Sequence, residues 1–485
     1  MNFSASPTVW LHVSTLMNWN RPPVGIVRVE REYCRWLLER AQSGIGEAVR
    51  FCVYDRVRHQ FTEVDVTQVA ARLDFKLAAP PARSLASNPA LPPAGIPALA
   101  PQPARAELAL WKRPIKRLWN ATKPHLPESW RPVIGGTARR TYHHLLQARL
   151  RLRARAAKPL QQIAPVVQEP VVPAAPFAAG DRWVSLGADW EYLNQEALYR
   201  VKQRLGLKVT LICYDAIPVL FPQLFVNVLS PGGFGAYLAD LAWCADAVLC
   251  ISDCTRRDFE GVMTRLGAPL PPTHVIQLGS EIPATMALEP PEGLAAGPDE
   301  RPFVLFVSTI ERRKNHEVLY RAWARLRDSG LVPHRLVFVG MRGWGVDELF
   351  NDLRLDPRVK DDIVTLNHVS DAQLAWLYRN AAFTVFPSLY EGWGLPVVES
   401  LAWGKFCLAS NAASLPEAGG SWAEYLDPWD LPAWVERLAH YMRHPEEIAR
   451  LNDRIAREFR APGWADTAAA IHSVVTGAGA RKDLP

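Results

Sequence analysis

A glycine-containing segment, FPSLYEGWGLPVVESLAWG, holds the residues best suited to chemistry and covers residues 386–404. A buried strand is predicted to end near its start, and Pro396 suits the first turn of the helix that follows. The backbone N–H groups near Gly394 and Leu395 would then form an anion site, strengthened by the helix dipole. The segment therefore predicts a place for a diphosphate at a helix N-terminus.

Two glutamates flank this predicted anion site. Glu391 precedes it, and Glu399 lies roughly 6 Å further along the helix axis. A diphosphate at the helix start would have one of these carboxylates on the side of each substituent. One carboxylate can accept hydrogen bonds from the hydroxyls of a sugar, and the other from those of a ribose. Taken alone, the pair also fits a carboxylate that complements a helix N-terminus and an ordinary carboxylate on a helix face. The strand, loop and helix around the pair favour the binding role.

Two cations form a second candidate group. Arg313 and Lys314 follow the strand-like PFVLFVST and precede a helical pattern, which places them in a loop between strand and helix. Cations there can neutralise a pyrophosphate and its developing leaving-group charge without a metal ion. Solvated loop cations are the alternative interpretation, and the two glutamates favour the catalytic one.

The elements that must position these groups alternate between strand and helix. The predicted strands of the first series are residues 8–16 and 49–54 and the segments RWVSLG, KVTLIC, AVLCIS and HVIQLG. A Pro/Gly/Glu-rich linker follows at residues 281–300. A second series then runs through PFVLFVST, RLVFVG, IVTLNH, FTVFPS and FCLAS. This alternation predicts an α/β protein with two doubly wound parallel sheets. The predicted domains are residues 1–285, with a Pro/Ala-rich insertion at 78–176, and residues 300–462.

The segment EGWGLPVVE resembles the E-x7-E signature of glycosyltransferase family 4, retaining enzymes of group 1 type. The resemblance covers nearly the whole chain apart from residues 78–176. It implies the GT-B fold, in which two Rossmann-like domains face each other across a cleft, and a C-terminal helix, residues 463–480, that returns to the first domain. It assigns Glu391 to the donor sugar and Glu399 to the ribose. The donor-binding residues of this segment are then Gly392, Trp393, Gly394, Leu395 and Glu399.

Further segments are similar to the family's donor-binding loops. Arg-Lys-Asn at residues 313–315 is similar to its phosphate motif, although Ser308-Thr309 replaces the Gly-Arg of many relatives, and Thr309 is taken as donor-binding. The loop VGMRGWG resembles the one near the nucleotide base, and NHVSDAQLAWLY the segment that reads base edges; both could equally be turns. These segments supply the donor-binding predictions Gly340, Arg342, His368 and Val369.

Two positions of the first domain complete the predicted site. Gly25 opens the first long helix, where relatives bring the backbone close to the donor phosphates, although glycine there also serves a turn. CYDAIPVLFP resembles the family's His-Asp-x-x-Pro segment, with Tyr214 in place of the usual histidine. Asp215 is retained and is predicted to orient a hydroxyl.

The function implied by the resemblance is retaining, metal-independent transfer of a sugar from a nucleotide diphosphate donor. GDP-mannose is the first choice of donor and dTDP-rhamnose the next, and the acceptor is a glycan or lipid-linked glycan of bacterial surface polysaccharide such as O-antigen. No cofactor is expected. The alternatives are an inactive GT-B scaffold that docks to membrane through its basic insertion, or another GT-B enzyme such as an epimerase or phosphorylase.

Charge and composition supply the remaining expectations. Residues 105–158 hold fourteen Lys or Arg against two acidic residues in a chain of formal net charge +6. This basic arm predicts an anionic membrane surface as a partner and, without interleaved aromatic platforms, no nucleic acid. Seven cysteines without a C-x-x-C pair indicate reduced thiols. Because no secretory leader or long apolar run is recognised, a cytoplasmic protein is expected, peripheral on the cytoplasmic face of the inner membrane.

Overall fold

Two sheets organise the chain in a computed structural model that describes residues 7–20, 25–74, 172–225, 233–282, 287–292, 294, 301–331 and 334–477. Both sheets belong to one unit, Met1–Ala78 with Val172–Pro485. The second unit, Ala79–Val171, contains the basic arm and lies outside the described residues.

The first sheet has seven strands in the order β3-β2-β1-β4-β5-β6-β7. Its strands are β1 Val9–His12, β2 Val49–Asp55, β3 Gln60–Val64, β4 Arg182–Ser185, β5 Lys208–Cys213, β6 Ala247–Cys250 and β7 Thr273–Val275. Its helices are α1 Ser14–Asn18, α2 Ile26–Gln42, α3 Val66–Arg72, α4 Asp189–Tyr192, α5 Gln195–Leu205, α6 Ile217–Leu220, α7 Gly233–Cys244 and α8 Asp253–Leu266. Successive residues of β1 alternate between two cores, Val9 and Leu11 in one and Trp10 in the other, so the sheet is covered on both faces.

The second sheet has six strands in the order β10-β9-β8-β11-β12-β13. Its strands are β8 Phe303–Val307, β9 Arg335–Val339, β10 Ile363–Leu366, β11 Phe383–Phe386, β12 Cys407–Ser410 and β13 Glu424–Leu426. The helices that follow in the chain are α9 His316–Asp328, α10 Asp347–Leu355, α11 Asp371–Asn380, α12 Leu395–Ala402, α13 Leu415–Gly419, α14 Leu431–Arg443, α15 Pro445–Glu458 and α16 Trp464–Thr476. The predicted GT-B class, an α/β chain with two Rossmann-like doubly wound sheets, is confirmed.

The start of the first domain differs from the sequence prediction in two places. Residues 14–16, predicted as strand, begin α1, and the Ser14 hydroxyl lies 2.7 Å from His12 Nε2 at the end of β1. The first sheet is also not wholly parallel, since β3 pairs antiparallel with β2. Asp55 makes this hairpin by accepting the backbone N–H groups of Val57 and Arg58 at 2.8 and 3.0 Å, a turn that strand periodicity does not reveal.

Helix α16 packs on the first domain, although it follows the second in sequence. The Thr467 hydroxyl donates to the carbonyl of Gln277 at 2.8 Å, and Arg182 Nη2 donates to the carbonyl of Thr476 at 2.9 Å. The apolar residues of α16 that belong to the first domain's core are Trp464, Ala468, Ile471 and Val475. The core of the first domain is therefore completed from the far end of the described chain.

Among the described residues, no helix is both long enough and apolar enough to cross a bilayer.

Candidate active site

Glu391 lies between two cations at the carboxyl end of the second sheet. Arg313 Nη1 is 2.8 Å from Glu391 Oε2, and Lys314 Nζ is 2.6 Å from Glu391 Oε1. The Ser388 hydroxyl also donates to Oε1 at 2.5 Å. All three charged side chains are at most 14 % exposed. The carboxylate and the two cations predicted from separate segments thus form one cluster.

The cations are held by a loop whose shape depends on Asn315. Arg313 and Lys314 end a short 3₁₀ turn after β8, and Asn315 follows in the left-handed region with φ 58°. Its buried side-chain amide donates to the carbonyls of Pro387 and Pro428 at 3.1 and 2.9 Å. Asparagine tolerates this conformation better than most residues. The Arg-Lys-Asn motif therefore contains two cations and the residue that positions them.

Burial and charge act against each other in this cluster. Burial raises the pKa of Glu391, but the positive charges of Arg313 and Lys314 outweigh it and lower that pKa to about 2. Burial and the neighbouring guanidinium lower the pKa of Lys314. The pKa of Arg313 is raised, because the carboxylates of Glu391 and Glu311 outweigh its burial. Glu391 is therefore ionised at neutral pH.

The first domain meets this cluster at Gly392. The Gly392 carbonyl accepts the hydroxyls of Ser252 and Thr255 at 2.7 and 3.0 Å. A Cβ atom on Gly392 would lie 2.3 Å from the carbonyl oxygen of Tyr214 and 3.2 Å from Cβ of Asp215. Asp215 is close enough for Arg313 to oppose the rise in its pKa that burial causes. The structure thus brings Asp215 to the Glu391 cluster across the domain interface.

The rest of the Gly-Trp-Gly-Leu segment links this loop to both domains. Trp393 is buried in the first domain's core, and its carbonyl accepts the Ser414 hydroxyl at 2.8 Å. Gly394, at φ 114°, precedes the first residue of α12, Leu395. A helix start presents N–H groups without intrahelical partners, as the predicted diphosphate site requires.

Glu399 lies on α12 and has its own contacts. The Tyr378 hydroxyl donates to its Oε2 at 3.2 Å, and Arg28 Nη1 is 3.4 Å from its Oε1. Burial raises the pKa of Glu399, an effect that Arg28 and Tyr378 oppose. Its side chain is 23 % exposed, so a ligand can approach it from solvent.

Three predicted donor-binding residues lie at the ends of β8 and β9 without contacting Glu391. Thr309 is exposed, and Gly340 packs against the carbonyl of Ser308, where a Cβ atom would approach to 1.9 Å. Arg342 pairs instead with Asp347 and lies 4.5 Å over the ring of Phe350. In this structure Arg342 is a surface cation of its own loop.

The last three predictions are backbone positions. Gly25 has φ 53° at the start of α2, a backbone conformation that favours glycine and agrees with a role in the turn. His368 is exposed with φ 57°, and Val369 packs partly against the second domain's core. A non-glycine residue at positive φ is uncommon and marks a shaped loop, as backbone recognition of a base would need.

Several contacting residues were not predicted. Ser388 and Glu311 lie inside the predicted site segments, next to residues that were named. Arg28 lies three residues after Gly25, and Tyr378 ends the base-reading segment. The hydroxyls of Ser252 and Thr255 occur in ISDCTRRDF, but no pattern there indicates a partner in another domain. The unpredicted contacts are Arg28, Ser252, Thr255, Glu311, Tyr378, Ser388 and Ser414.

Metal-ligating side chains do not cluster in the part of the chain that the structure describes. Across those ranges, no three His, Cys, Asp or Glu side chains are grouped so that they could hold a metal ion.

Comparison with known proteins finds a family model that matches part of this chain. Residues 295–457 match the family model described as "Glycosyl transferases group 1". Over 131 residues the chain is 36 % identical to O-antigen chain mannosyltransferase B of Escherichia coli, covering 27 % of this chain and 34 % of the relative. Over 209 residues it is 29 % identical to MMP alpha-(1->4)-mannosyltransferase of Mycolicibacterium hassiacum, covering 42 % and 47 %.

These matches are partial. The chain spans about a quarter to a half of the length of these two mannosyltransferases and of Serotype-specific mannosyltransferase WbdA of Escherichia coli. Among solved structures, Anabaena HepE in complex with UDP-glucose is similar at a TM-score of 0.46 and 16 % identity, covering 61 % of this chain and 78 % of that one.

Proposed function

We propose that this chain, whose residues 295–457 match the family model of the group 1 glycosyl transferases, is a hexosyltransferase that uses a nucleoside diphosphate sugar. The observation that carries the proposal is the Glu391 carboxylate held between Arg313 and Lys314, directly before the glycine-containing start of α12. A diphosphate at this helix start has cations beside it, and its sugar has a carboxylate beside it. An inactive scaffold has no need of buried charges arranged in this way.

The proposed reaction is substitution at the anomeric carbon with retention. The bond from that carbon to the departing phosphate oxygen breaks, and a bond to the acceptor oxygen forms on the same face. The departing phosphate takes the acceptor's proton. Arg313 and Lys314 stabilise the charge that develops on the diphosphate, and Glu391 orients the sugar hydroxyls. In this scheme Asp215 orients the acceptor hydroxyl.

Mannose is the proposed sugar, with GDP-mannose as donor. The support comes from the names of three relatives, which are an O-antigen chain mannosyltransferase, a serotype-specific mannosyltransferase and an MMP alpha-(1->4)-mannosyltransferase. The proposed acceptor is a glycan or lipid-linked glycan in bacterial polysaccharide synthesis.

A thermal-shift screen followed by a transfer assay tests the proposal. The purified chain is mixed with GDP-mannose, dTDP-rhamnose, UDP-glucose and their nucleoside diphosphates, because ligands that bind the folded state raise its melting temperature. Release of nucleoside diphosphate together with a glycosylated acceptor is expected from one donor. Epimerised donor, or sugar phosphate formed only with inorganic phosphate, would point to the epimerase or phosphorylase instead.

Glu399→Ala is expected to weaken nucleoside diphosphate binding by about 1–3 kcal/mol, the value of a hydrogen bond to a charged group. The reason is the proposed contact between its carboxylate and the ribose hydroxyls. Titration calorimetry measures the effect, and Glu317→Ala, which removes an exposed glutamate on α9, is the matched control. Unchanged affinity in Glu399→Ala would contradict the ribose assignment.

Transfer is expected to persist in excess EDTA. Arg313 and Lys314 already place two positive charges where a divalent cation would otherwise neutralise the diphosphate. Product formation is measured after the enzyme and substrates have been treated with chelator. Complete loss of transfer that magnesium reverses would show that the phosphate charge is neutralised by a metal.

Deleting residues 104–158 is expected to release the protein from anionic vesicles while leaving nucleotide binding intact. The arm's cations would each contribute roughly 1 kcal/mol at low salt, and this attraction fades as ionic strength rises. Sedimentation with vesicles of neutral and anionic lipid, at low and high salt, measures the effect. If the deleted protein still sediments with anionic vesicles, the membrane role of the arm is contradicted.

A further inference from the structure

We propose that Arg28 is a positioning residue of the ribose site, which holds the Glu399 carboxylate from the opposite domain so that ribose recognition is complete only when the domains are closed. The inference rests on the proposed function, in which Glu399 binds the ribose. It adds a residue of the first domain to a site otherwise built from the second.

Arg28 reaches across the domain interface. It is the third residue of α2, and its Nη1 atom lies 3.4 Å from Oε1 of Glu399 on α12. The two side chains are 27 % and 23 % exposed, so the pair lies at the edge of solvent and not in the core. A contact of this length between two domains forms or breaks with a small change in their separation.

The guanidinium of Arg28 is also fixed from its other side. It lies 5.0 Å from the ring centroid of Trp464, the first residue of α16, a distance typical of a cation–π contact. Trp464 is only 7 % exposed and packs against Gly279, where a Cβ atom would approach the ring to 2.7 Å. Arg28 is thus held by a rigid aromatic neighbour and directed at one carboxylate oxygen.

The contacts of Glu399 leave part of its hydrogen-bonding capacity unused. Arg28 faces Oε1 and the Tyr378 hydroxyl donates to Oε2, so each oxygen has one protein partner. An ionised carboxylate has about four acceptor positions, two on each oxygen. One position on each oxygen remains, which matches the two adjacent hydroxyls of a ribose. Tyr378 belongs to the same domain as Glu399, so of these two partners it is Arg28 that connects the arrangement to domain closure.

The charges around Glu399 give the inference a second readout. Arg28 is the cation that favours its ionised form, whereas burial and the carboxylate of Asp371 favour the protonated form and raise its pKa. Without Arg28, that pKa rises further. A protonated carboxyl accepts fewer hydrogen bonds, so nucleotide affinity should then begin to fall at a higher pH as the solution is acidified.

The test compares nucleotide binding by the full chain and three variants, Arg28→Ala, Arg28→Lys and Arg35→Ala. The last removes another arginine of α2, whose guanidinium donates to the carbonyl of Leu73 away from the site. Calorimetry with GDP and UDP and with their 2′-deoxy forms is run from pH 5 to pH 8. Melting temperatures establish that each variant is folded.

Arg28→Ala is expected to weaken binding of the ribonucleotide about fivefold, which corresponds to the upper range for a partly exposed ion pair. It should also reduce the preference for the ribonucleotide over its 2′-deoxy form. The pH below which nucleotide affinity falls should be higher than in the unsubstituted chain. Arg28→Lys should restore part of the affinity, because it keeps the charge, and Arg35→Ala should match the unsubstituted chain.

An Arg28→Ala variant with the affinity, ribose preference and pH profile of Arg35→Ala would overturn the inference. If Glu399→Ala, measured alongside these variants, weakens binding, the proposed function stands and only the role of Arg28 is lost. If the unsubstituted chain binds neither GDP nor UDP, both the proposed use of these nucleotides and the inference about Arg28 are contradicted.

Discussion

Glu391→Gln is expected to reduce sugar transfer on the order of 10³-fold while nucleoside diphosphate binding survives. The substitution keeps the shape of the side chain but removes the negative charge that the structure places between Arg313 and Lys314. Because the proposed contact of Glu391 is to the sugar, the diphosphate and ribose contacts remain. Steady-state transfer and calorimetry with the nucleoside diphosphate separate the two effects.

The same variant should change stability in a way that the ligand reverses. Breaking a buried ion pair by removing one partner costs about 3–5 kcal/mol, because it leaves buried charge without compensation. A bound diphosphate would compensate Arg313 and Lys314, so GDP should raise the melting temperature of Glu391→Gln more than that of the unsubstituted chain. Glu424→Gln, which disrupts a pair with Arg437 in the same domain, should lower stability without this ligand response or the loss of transfer. Equal loss of nucleotide binding in Glu391→Gln and Glu399→Ala would contradict the division of roles.

Gly392→Ala is expected to lower kcat/KM for transfer on the order of 10²-fold, the effect of misplacing a reacting group by about 1 Å. The new methyl group would lie 2.3 Å from the carbonyl oxygen of Tyr214, a backbone atom that cannot rotate away. The domains must then separate slightly, and the contacts of the Gly392 carbonyl with Ser252 and Thr255 are strained or lost.

The matched control for this variant is Gly261→Ala. Gly261 lies in α8, and a Cβ atom there meets nothing within 4 Å. Alanine is a better helix former than glycine by about 1 kcal/mol, so this control should be neutral or slightly stabilising. Normal transfer by Gly392→Ala would show that the close domain contact is not needed for catalysis.

The parts of the candidate site that the sequence predicted are those encoded within one short segment. Glu391 and Glu399 belong to a single strand, loop and helix, and Arg313 with Lys314 follows a single strand, so local periodicity was enough to locate them. Their pairing was not predicted, because the cations were assigned to a diphosphate. A buried carboxylate requires its own counter-charges, and these cations provide them.

The parts that could not be predicted depend on contacts between distant segments. Arg28 and Glu399 are 371 positions apart, and Ser252 meets Gly392 over 140 positions. Nothing in the composition of either segment specifies the other as its partner. The β2–β3 hairpin was missed for a different reason, since its turn is made by the side chain of Asp55 and not by a glycine pattern.

Helix α16 has a consequence for how the protein is made. During translation the strands of the first domain leave the ribosome well before residues 464–476, which supply Trp464, Ile471 and Val475 to that domain's core. The nascent first domain therefore exposes an apolar surface for as long as the second domain is being synthesised. Nascent-chain intermediates of this kind are the species on which chaperones act. The yield of folded protein should accordingly depend on chaperone supply more strongly than the stability of the finished molecule would suggest.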